Sequence, residues 1–575
     1  MLLLKTTASD ARLNRLNSTA PIRSRAAEEG SFQIPLWGIP LVLLLLYVCL
    51  FSGLGALGLV GPDEPRYAAI ARAMSETHDW ITPRLWGTPW FEKPVLYYWT
   101  AGIAMRLFGV GEFAARLPSG LAALLAVVAV AWTALRSFGV GTAWYSLLML
   151  PTSVAMIGFS RAASPDMLFA GLLTAAMAVA SEMLQKPRPG PILRVAFGFF
   201  LGAAVLAKGP AAMILAGGAT LLWAAVSRQW RAPFRFVHPL IIAVFCATAL
   251  PWYVLCASRN PDFLRIFIWQ HNFERYLTPI FEHRQPFWFF GPIILLGILP
   301  WLPLLVSPLF NVDRSMHLGT RKDSPALFMG CWALFILLFF SLSQSKLPGY
   351  ILPAVPPAIL LLARSFVRQI EQRAKGIRLA VASVGIVFPV VAGIVPVKLL
   401  QMFDPGQWLD PGPVHGAMLA IGASLLGLGF AVAFAVYRKW NGAISVVACT
   451  AVILLLVANH MVMPLVDALI SVRPVATGLI GKVKVQPDEI AVYHLPRAYE
   501  YGLNYYFGRE LPEWTPGNTS ASIILFSADS DLSGFLDTRQ GSTFDSDLAS
   551  IDGKIRWAWK KGWPNRPNTH FLRVN

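Results

Sequence analysis

The chain has 575 residues, 55% of them hydrophobic and only 14% charged, whereas soluble domains run near 25% charged. That balance excludes a soluble globular protein and points to an integral membrane protein with many spans. A net charge of +17 could suit nucleic acid, but the positions of the charges argue against it.

Residues 1–35, with "TASDARLNRLNSTAPIRSRAAEEG", read as a disordered basic arm. Thirteen apolar runs follow, near 36–60, 115–135, 139–160, 165–184, 192–207, 209–227, 237–257, 286–308, 324–343, 347–363, 379–397, 414–437 and 441–463. Lengths of about 17 to 25 apolar residues suit a helix that crosses the hydrocarbon core. No β-barrel alternation is present, so the spans are expected as helices that satisfy their own backbones. The first run is too long for a signal-peptide core and is read as a retained span. With the N-terminus in the cytoplasm, Lys and Arg gather in the segments that the alternation places inside: Arg12, Arg15, Arg23 and Arg25, then Arg228, Arg231 and Arg235, then Arg364, Arg368, Arg373, Lys375 and Arg378. The excess positive charge is therefore a topology signal and not a nucleic-acid surface. An odd number of spans puts the tail, 464–575, outside. The five cysteines lie in or at the ends of spans and form no CxxC pair, so neither a cysteine metal site nor redox chemistry is expected.

The first outer loop, 61–114, opens on "GPDEPRYAAIARAM". Tyr67, Ile70, Ala71 and Met74 follow helical spacing. Asp63 stands where an N-cap belongs, and Pro65 is tolerated in a first turn. Such a helix would lie on the membrane surface with its apolar face inward. A bare "DE" after a span is most often a helix cap. Other ionisable residues, however, return to the same face: Glu92 and Lys93 in "WFEKP", Arg161 and Asp166 in "RAASPDM", Lys208 in "LAKGP", His271, Glu274, Arg275, Glu282, His283 and Arg284 after the seventh span, and Lys346 and Tyr350 in "SQSKLPGY". Taken singly, each is more often an interface anchor. Coming together from separate loops, where unpaired charge is costly, they point to one site at the outer face. Lysines and arginines suit a phosphate or pyrophosphate. Carboxylates suit a divalent metal or an acceptor's proton. Carboxylate with histidine also suits zinc, though no HxxxH or HExxH spacing is present. Without GxGxxG, P-loop or GxSxG, nucleotide binding and serine hydrolysis have no support, and neither nucleotide nor haem is expected. Phosphate-binding groups at a bilayer suggest a lipid-phosphate substrate. In the tail, 489–495, 521–527, 555–561 and 569–575 read as strands of a small α/β domain without a catalytic constellation. Its expected role is packing.

"PDEPRYAAIARAM", "WFEKPVLYYW", "LAKG", "PDF…ERY", "HRQPFW" and "KLPGYILP", in this order, resemble the membrane glycosyltransferases that use polyprenyl-phosphate sugars. The similarity is greatest to the 4-amino-4-deoxy-L-arabinose transferases of lipid A, relatives of the protein O-mannosyltransferases. It runs from about residue 36 to the tail, where it is weak. The resemblance implies an all-α, polytopic GT-C type fold in the bacterial inner membrane. It also implies an inverting, metal-assisted transfer at the periplasmic side from an undecaprenyl-type carrier to lipid A or another glycolipid. By the same resemblance Asp63 is the critical carboxylate and Asp166 a second aspartate near the donor. Lys93 and Arg275 hold the carrier phosphate, with Arg66, Tyr67, Lys208, Arg284, Lys346 and Tyr350 around it. Glu92 and either His271 or His283 hold a zinc or magnesium-like ion. The sequence departs from the family pattern at Pro65, where a small polar residue is common, and at Gly349, where Thr is common. Asp63 is expected to face the cavity opposite Lys93. Glu64, about 100° around the helix, is expected to support it by pairing Arg66 or a loop cation. The rival reading is a carrier or flippase of a lipid-linked sugar, which would hold its charges near the midplane on broken helices. Separation of Asp63, Lys93 and Lys208 by more than about 25 Å, most of a bilayer core, would break the single site.

Overall fold

The computed structural model describes residues 34–277, 285–305, 325–374, 376–402, 411–484, 486–515, 521–527, 544–551 and 555–560. The N-terminal arm up to residue 33, Glu282, His283, Arg284 and the strand expected at 569–575 lie outside the described residues. Residues 34–41 hold a turn and the start of the helix Gly38–Leu50. From Val42 onward the chain forms one compact unit.

The protein is a multi-pass membrane protein. Eight helices among the described residues are long and apolar enough to cross a bilayer: Glu112–Phe138, Pro165–Gln185, Pro191–Lys208, Pro239–Arg259, Pro325–Leu342, Pro348–Glu371, His415–Val436 and Trp440–Ile470. Val140–Met149 and Val154–Ser160 meet at a 58° bend and make a ninth if taken as one span. The break falls on "LPTS", where Pro151 cannot donate to the helix ladder. Gly38–Leu50, Ala211–Ser227, Phe287–Gly297 and Ile377–Val391 are shorter apolar helices. Each of the thirteen expected ranges therefore holds a helix, while length and composition support eight or nine crossings.

Proline opens the helices at Pro165, Pro191 and Pro239, the position where a missing N–H costs nothing. Ser164 caps the first of these by accepting the Asp166 N–H at 3.4 Å. That helix is almost wholly enclosed by protein. It presses on Glu112–Phe138 at Gly171, where a Cβ would lie 2.3 Å from the Ala122 carbonyl oxygen. Gly171→Ala is therefore expected to lower stability by about 1–3 kcal/mol through overpacking, read as thermal unfolding of the purified protein. An unchanged melting temperature would show that the two helices can part without cost.

The first-loop helix is Asp63–Thr77, with Tyr67, Ala68, Ile70, Ala71 and Met74 buried, as the periodicity requires. Asp63 is not its N-cap. Pro62 occupies that place with φ −80° and ψ −20° and no side-chain bond to the helix, so Asp63 becomes the first helical residue. A carboxylate there still favours the helix dipole. A two-residue hairpin turn follows between β1 (Arg84–Leu85) and β2 (Thr88–Pro89). Trp86 and Gly87 both have positive φ, 49° and 86°, as a tight turn of this hand requires. The helix Leu96–Phe108 then leads to the first long span.

In the tail, β3 (Ile490–Tyr493), β4 (Ile523–Ser527), β5 (Phe544–Ile551) and β6 (Ile555–Lys560) form a sheet in the order β3-β4-β6-β5. β3 and β4 are parallel and the other pairs antiparallel. Three strands fall where the sequence places them, and β5 is additional. Apolar residues of β3, β4 and β6 pack with Val472, Val475 and Leu503 in one core. The helix Arg497–Phe507 lies against the first-loop helix.

Candidate active site

Five separate segments bring ionisable side chains to one end of the spans. The first is the start of the first-loop helix. Asp63 accepts a hydrogen bond from Arg66 at 2.5 Å, and Arg66 also pairs with Glu92 at 3.1 Å. The Asp63 side chain is 55% exposed, against 13% for Arg66, so the arginine is the enclosed member and the aspartate the accessible one. The Arg66 guanidinium lies 5.1 Å from the centre of the Tyr67 ring and 5.6 Å from that of Trp90. Burial opposes its charge, but Tyr67, Glu92 and Asp63 together raise its pKa above the ordinary arginine value. It is a permanent cation. Burial, and then the Asp63 charge, raise the Tyr67 phenol well above its usual range, so Tyr67 stays protonated.

The second centre joins the Asp166, Lys208 and Tyr350 segments, beside the Glu92–Lys93 stretch that already meets Arg66. Asp166 is the second residue of its span and Lys208 the last of another, and the two form an ion pair. Lys208 also sits 4.8 Å from the Tyr350 ring centre and 5.5 Å from that of Phe169, a geometry that stabilises an ammonium. The charge of Lys93, next to Glu92, reaches Asp166. Asp63, Arg66 and Glu92 therefore make one connected group and Asp166, Lys208 and Tyr350 a second, with Lys93 electrostatically between them. Gly349 has a packing reason here: a Cβ would lie 3.0 Å from Asp166 Oδ2 and 3.1 Å from Phe159. Trp90 Nε1 and Tyr98 Oη are buried with no hydrogen-bond partner among the described residues.

Several expected residues behave otherwise. Glu64 does not pair with Arg66. It is buried, and it binds Arg116 through both oxygens, at 3.2 and 2.8 Å. It also accepts the N–H groups of Val60 and Ala163 at 3.0 and 2.6 Å. The helix turns Asp63 outward, which leaves Glu64 facing the protein. Arg161 is spent on structure, donating to the carbonyls of Val48, Ser52 and Ile157 at 2.9, 3.0 and 3.0 Å. Lys346 is buried and donates to the Ser343 carbonyl at 2.5 Å, and burial pushes its pKa down. Arg275 opens the short helix Arg275–Leu277, while its side chain lies outside the described residues. His271 belongs to the π-helical turn Arg265–Glu274.

The described residues hold Glu92 and His271 of the expected metal ligands, and His283 lies outside them. Glu92 already carries Arg66, and no group of three His, Cys, Asp or Glu gathers among the described residues. The residue that sequence reasoning missed is Arg116. Its signal was present, since an arginine inside an apolar span needs a partner.

Residues 36–267 match the family model described as Dolichyl-phosphate-mannose-protein mannosyltransferase. An undecaprenyl phosphate-alpha-4-amino-4-deoxy-L-arabinose arabinosyl transferase from Edwardsiella ictaluri is 34% identical over 55% of this chain and 57% of its own length. One of the same description from Aeromonas salmonicida is 32% identical over 70% of this chain and 73% of its own length. The match thus spans little more than half of the first relative and nearly three quarters of the second. The crystal structure of ArnT from Cupriavidus metallidurans bound to undecaprenyl phosphate superposes with a TM-score of 0.75 at 24% identity, covering 92% of this chain and 99% of that one. That match is one of fold.

Proposed function

Since the chain belongs to the undecaprenyl phosphate-aminoarabinose arabinosyl transferase family, we propose that it is a glycosyltransferase that moves a sugar from a polyprenyl-phosphate carrier to a lipid acceptor. Aminoarabinose is the sugar and a lipid A phosphate the acceptor that this membership favours. The reaction runs at the periplasmic face of the inner membrane, with the N-terminus cytoplasmic and the C-terminal sheet periplasmic.

One observation carries the reading: two sets of paired charges, Asp63–Arg66–Glu92 and Asp166–Lys208, with Lys93 adjoining Glu92 in the chain and within electrostatic reach of Asp166. Arg66 and Lys208 are cations fixed by neighbours, as a leaving phosphate requires, and Lys93 adds a third positive charge. Sugar departs through an oxocarbenium-like transition state, and preorganised cations stabilise the negative charge that grows on the carrier phosphate. Tyr350 and Asp166 hold Lys208 in place, so little reorganisation is needed at that moment. Asp63 is the accessible carboxylate. With an anionic lipid A phosphate as acceptor no base is needed, and Asp63 orients the acceptor or stabilises positive charge at the sugar. With a hydroxyl acceptor, Asp63 is the base. Asp166 and Lys208 stand at helix ends and not at mid-helix, which favours an enzyme at the surface over a carrier with midplane charges.

Mass spectrometry of lipid A from cells with and without the gene tests the assignment. Lipid A carrying an aminopentose on phosphate only when the gene is present is the expected result. Unchanged lipid A, with the sugar found on protein or on another glycolipid, would overturn the acceptor. Absence of any carrier-dependent transfer by purified protein would overturn the enzyme.

A further inference from the structure

The irregular segment Leu54–Val60 leads into the first loop, and its backbone polar groups are taken up one after another by side chains. Arg116 binds the carbonyls of Leu54, Leu57 and Gly58 at 2.9, 2.5 and 2.8 Å. Arg473 binds those of Gly55 and Ala56 at 2.9 and 3.0 Å. Asp467 accepts the Gly58 N–H at 2.6 Å and pairs with Arg473 at 2.6 Å. Tyr506 Oη accepts the Leu59 N–H at 3.0 Å and donates to Glu112 at 2.8 Å. Gly58 has no room for a side chain, since a Cβ would lie 2.1 Å from Ser471 Oγ and 2.9 Å from Tyr506 Oη.

Asp467, Ser471, Arg473 and Tyr506 all come from the last quarter of the chain. The same region holds the loop at two further points. Arg72, on the helix that carries Asp63, donates to the Tyr505 carbonyl at 3.2 Å. The rings of Trp86 and Tyr501 meet edge to face at 6.3 Å. Leu59 stands four residues before Asp63, and Arg72 lies on the same rigid helix. A shift at either contact therefore moves Asp63 and Arg66 together.

We infer that the segment 467–508 is a positioning element of the active site, with Tyr506 as the residue that sets the height of the first-loop helix over the donor. The inference rests on the proposed transferase reading. It differs from plain packing in what it forecasts. A packing role ties the hydroxyl to stability, whereas a positioning role ties it to the rate per folded molecule.

Tyr506→Phe removes one oxygen and leaves the ring. The expected result is a kcat lowered about tenfold or more, because displacement of a group by about 1 Å can cost on the order of a hundredfold. The donor KM is expected to stay near that of the unaltered enzyme, since a contact felt only in the transition state leaves KM alone. The Leu59 amide is expected to exchange hydrogen faster. Arg509→Gln serves as control, because among the described residues Arg509 forms its ion pair with the exposed Asp488, at 3.0 Å, and its kcat should not change. A Tyr506→Phe protein with unchanged kcat, or with a rate lowered only in proportion to lost folded protein, would overturn the inference. So would unchanged exchange at Leu59, whatever the reaction proves to be. Absence of transfer by the unaltered protein would instead refute the function reading.

Discussion

Asp63→Asn protein is expected to insert and melt close to the unaltered protein and to lose at least about a hundredfold in transfer. The stability side follows from the geometry. Asp63 is the first helical residue, where a carboxylate contributes about 0.3–1 kcal/mol through the helix dipole. Its pair with Arg66 is half exposed on the Asp63 side, and such pairs contribute about 0–1 kcal/mol. Asn keeps an acceptor for Arg66 and loses only the charge. The activity side follows from accessibility. Each of the three carboxylates has a cation partner, but the Asp63 side chain is 55% exposed against 20% for Glu92 and 26% for Asp166. A ligand with developing positive charge at the sugar meets Asp63 before either of the others. The measurement is sugar transfer from a polyprenyl-phosphate donor by purified protein, with thermal unfolding in parallel. Near-normal transfer by a stable Asp63→Asn variant would reduce Asp63 to a helix-terminal charge.

Glu64→Ala should fail in a different way. Glu64 and Arg116 are buried together, with side chains 10% and 3% exposed. Removing one partner of such a pair costs about 3–5 kcal/mol, because the other charge remains buried and uncompensated. The N–H groups of Val60 and Ala163 would also lose their acceptor. Most of the loss should appear as poor yield and a lowered melting temperature, with activity falling as folded protein falls. Glu64→Gln keeps an acceptor but not the charge, and is expected to cost about 1.5–3 kcal/mol. Arg116→Met should resemble Glu64→Ala. The double variant should be less damaging than the sum, because the two residues share one interaction. A Glu64→Ala protein that melts with the unaltered one would refute the assignment. The two adjacent carboxylates thus divide the work. Substituting Asp63 should stop chemistry in a folded protein, and substituting Glu64 should loosen the protein itself.

The division between neighbours also shows where the sequence by itself sufficed. Hydropathy and helical period are local properties, written in consecutive residues. They gave the helices inside all thirteen ranges, the buried stripe Tyr67, Ile70, Ala71 and Met74 of the first-loop helix, and three of the four strands among the described residues of the tail. The placement of Asp166 and Lys208 at helix ends and of Asp63, Glu92 and Lys93 between spans was legible too, because a bilayer forces charge out of its core. Tertiary structure alone decided which charges are structural. Glu64 faces inward because Arg116, some fifty residues on, and the amide of Ala163 wait for it. Arg161 and Lys346 look like cations for a phosphate, yet they satisfy carbonyls at helix ends. Asp63 lost its cap position because Pro62 had already entered the helical conformation. The tail reads as a separate small domain, but Tyr506, Asp467 and Arg473 close the hydrogen bonds of a segment about four hundred residues earlier. Such choices depend on which distant polar group finds which buried partner. A buried hydrogen bond left unmade costs about 1–3 kcal/mol, so the packed structure, and not the neighbouring sequence, settles them.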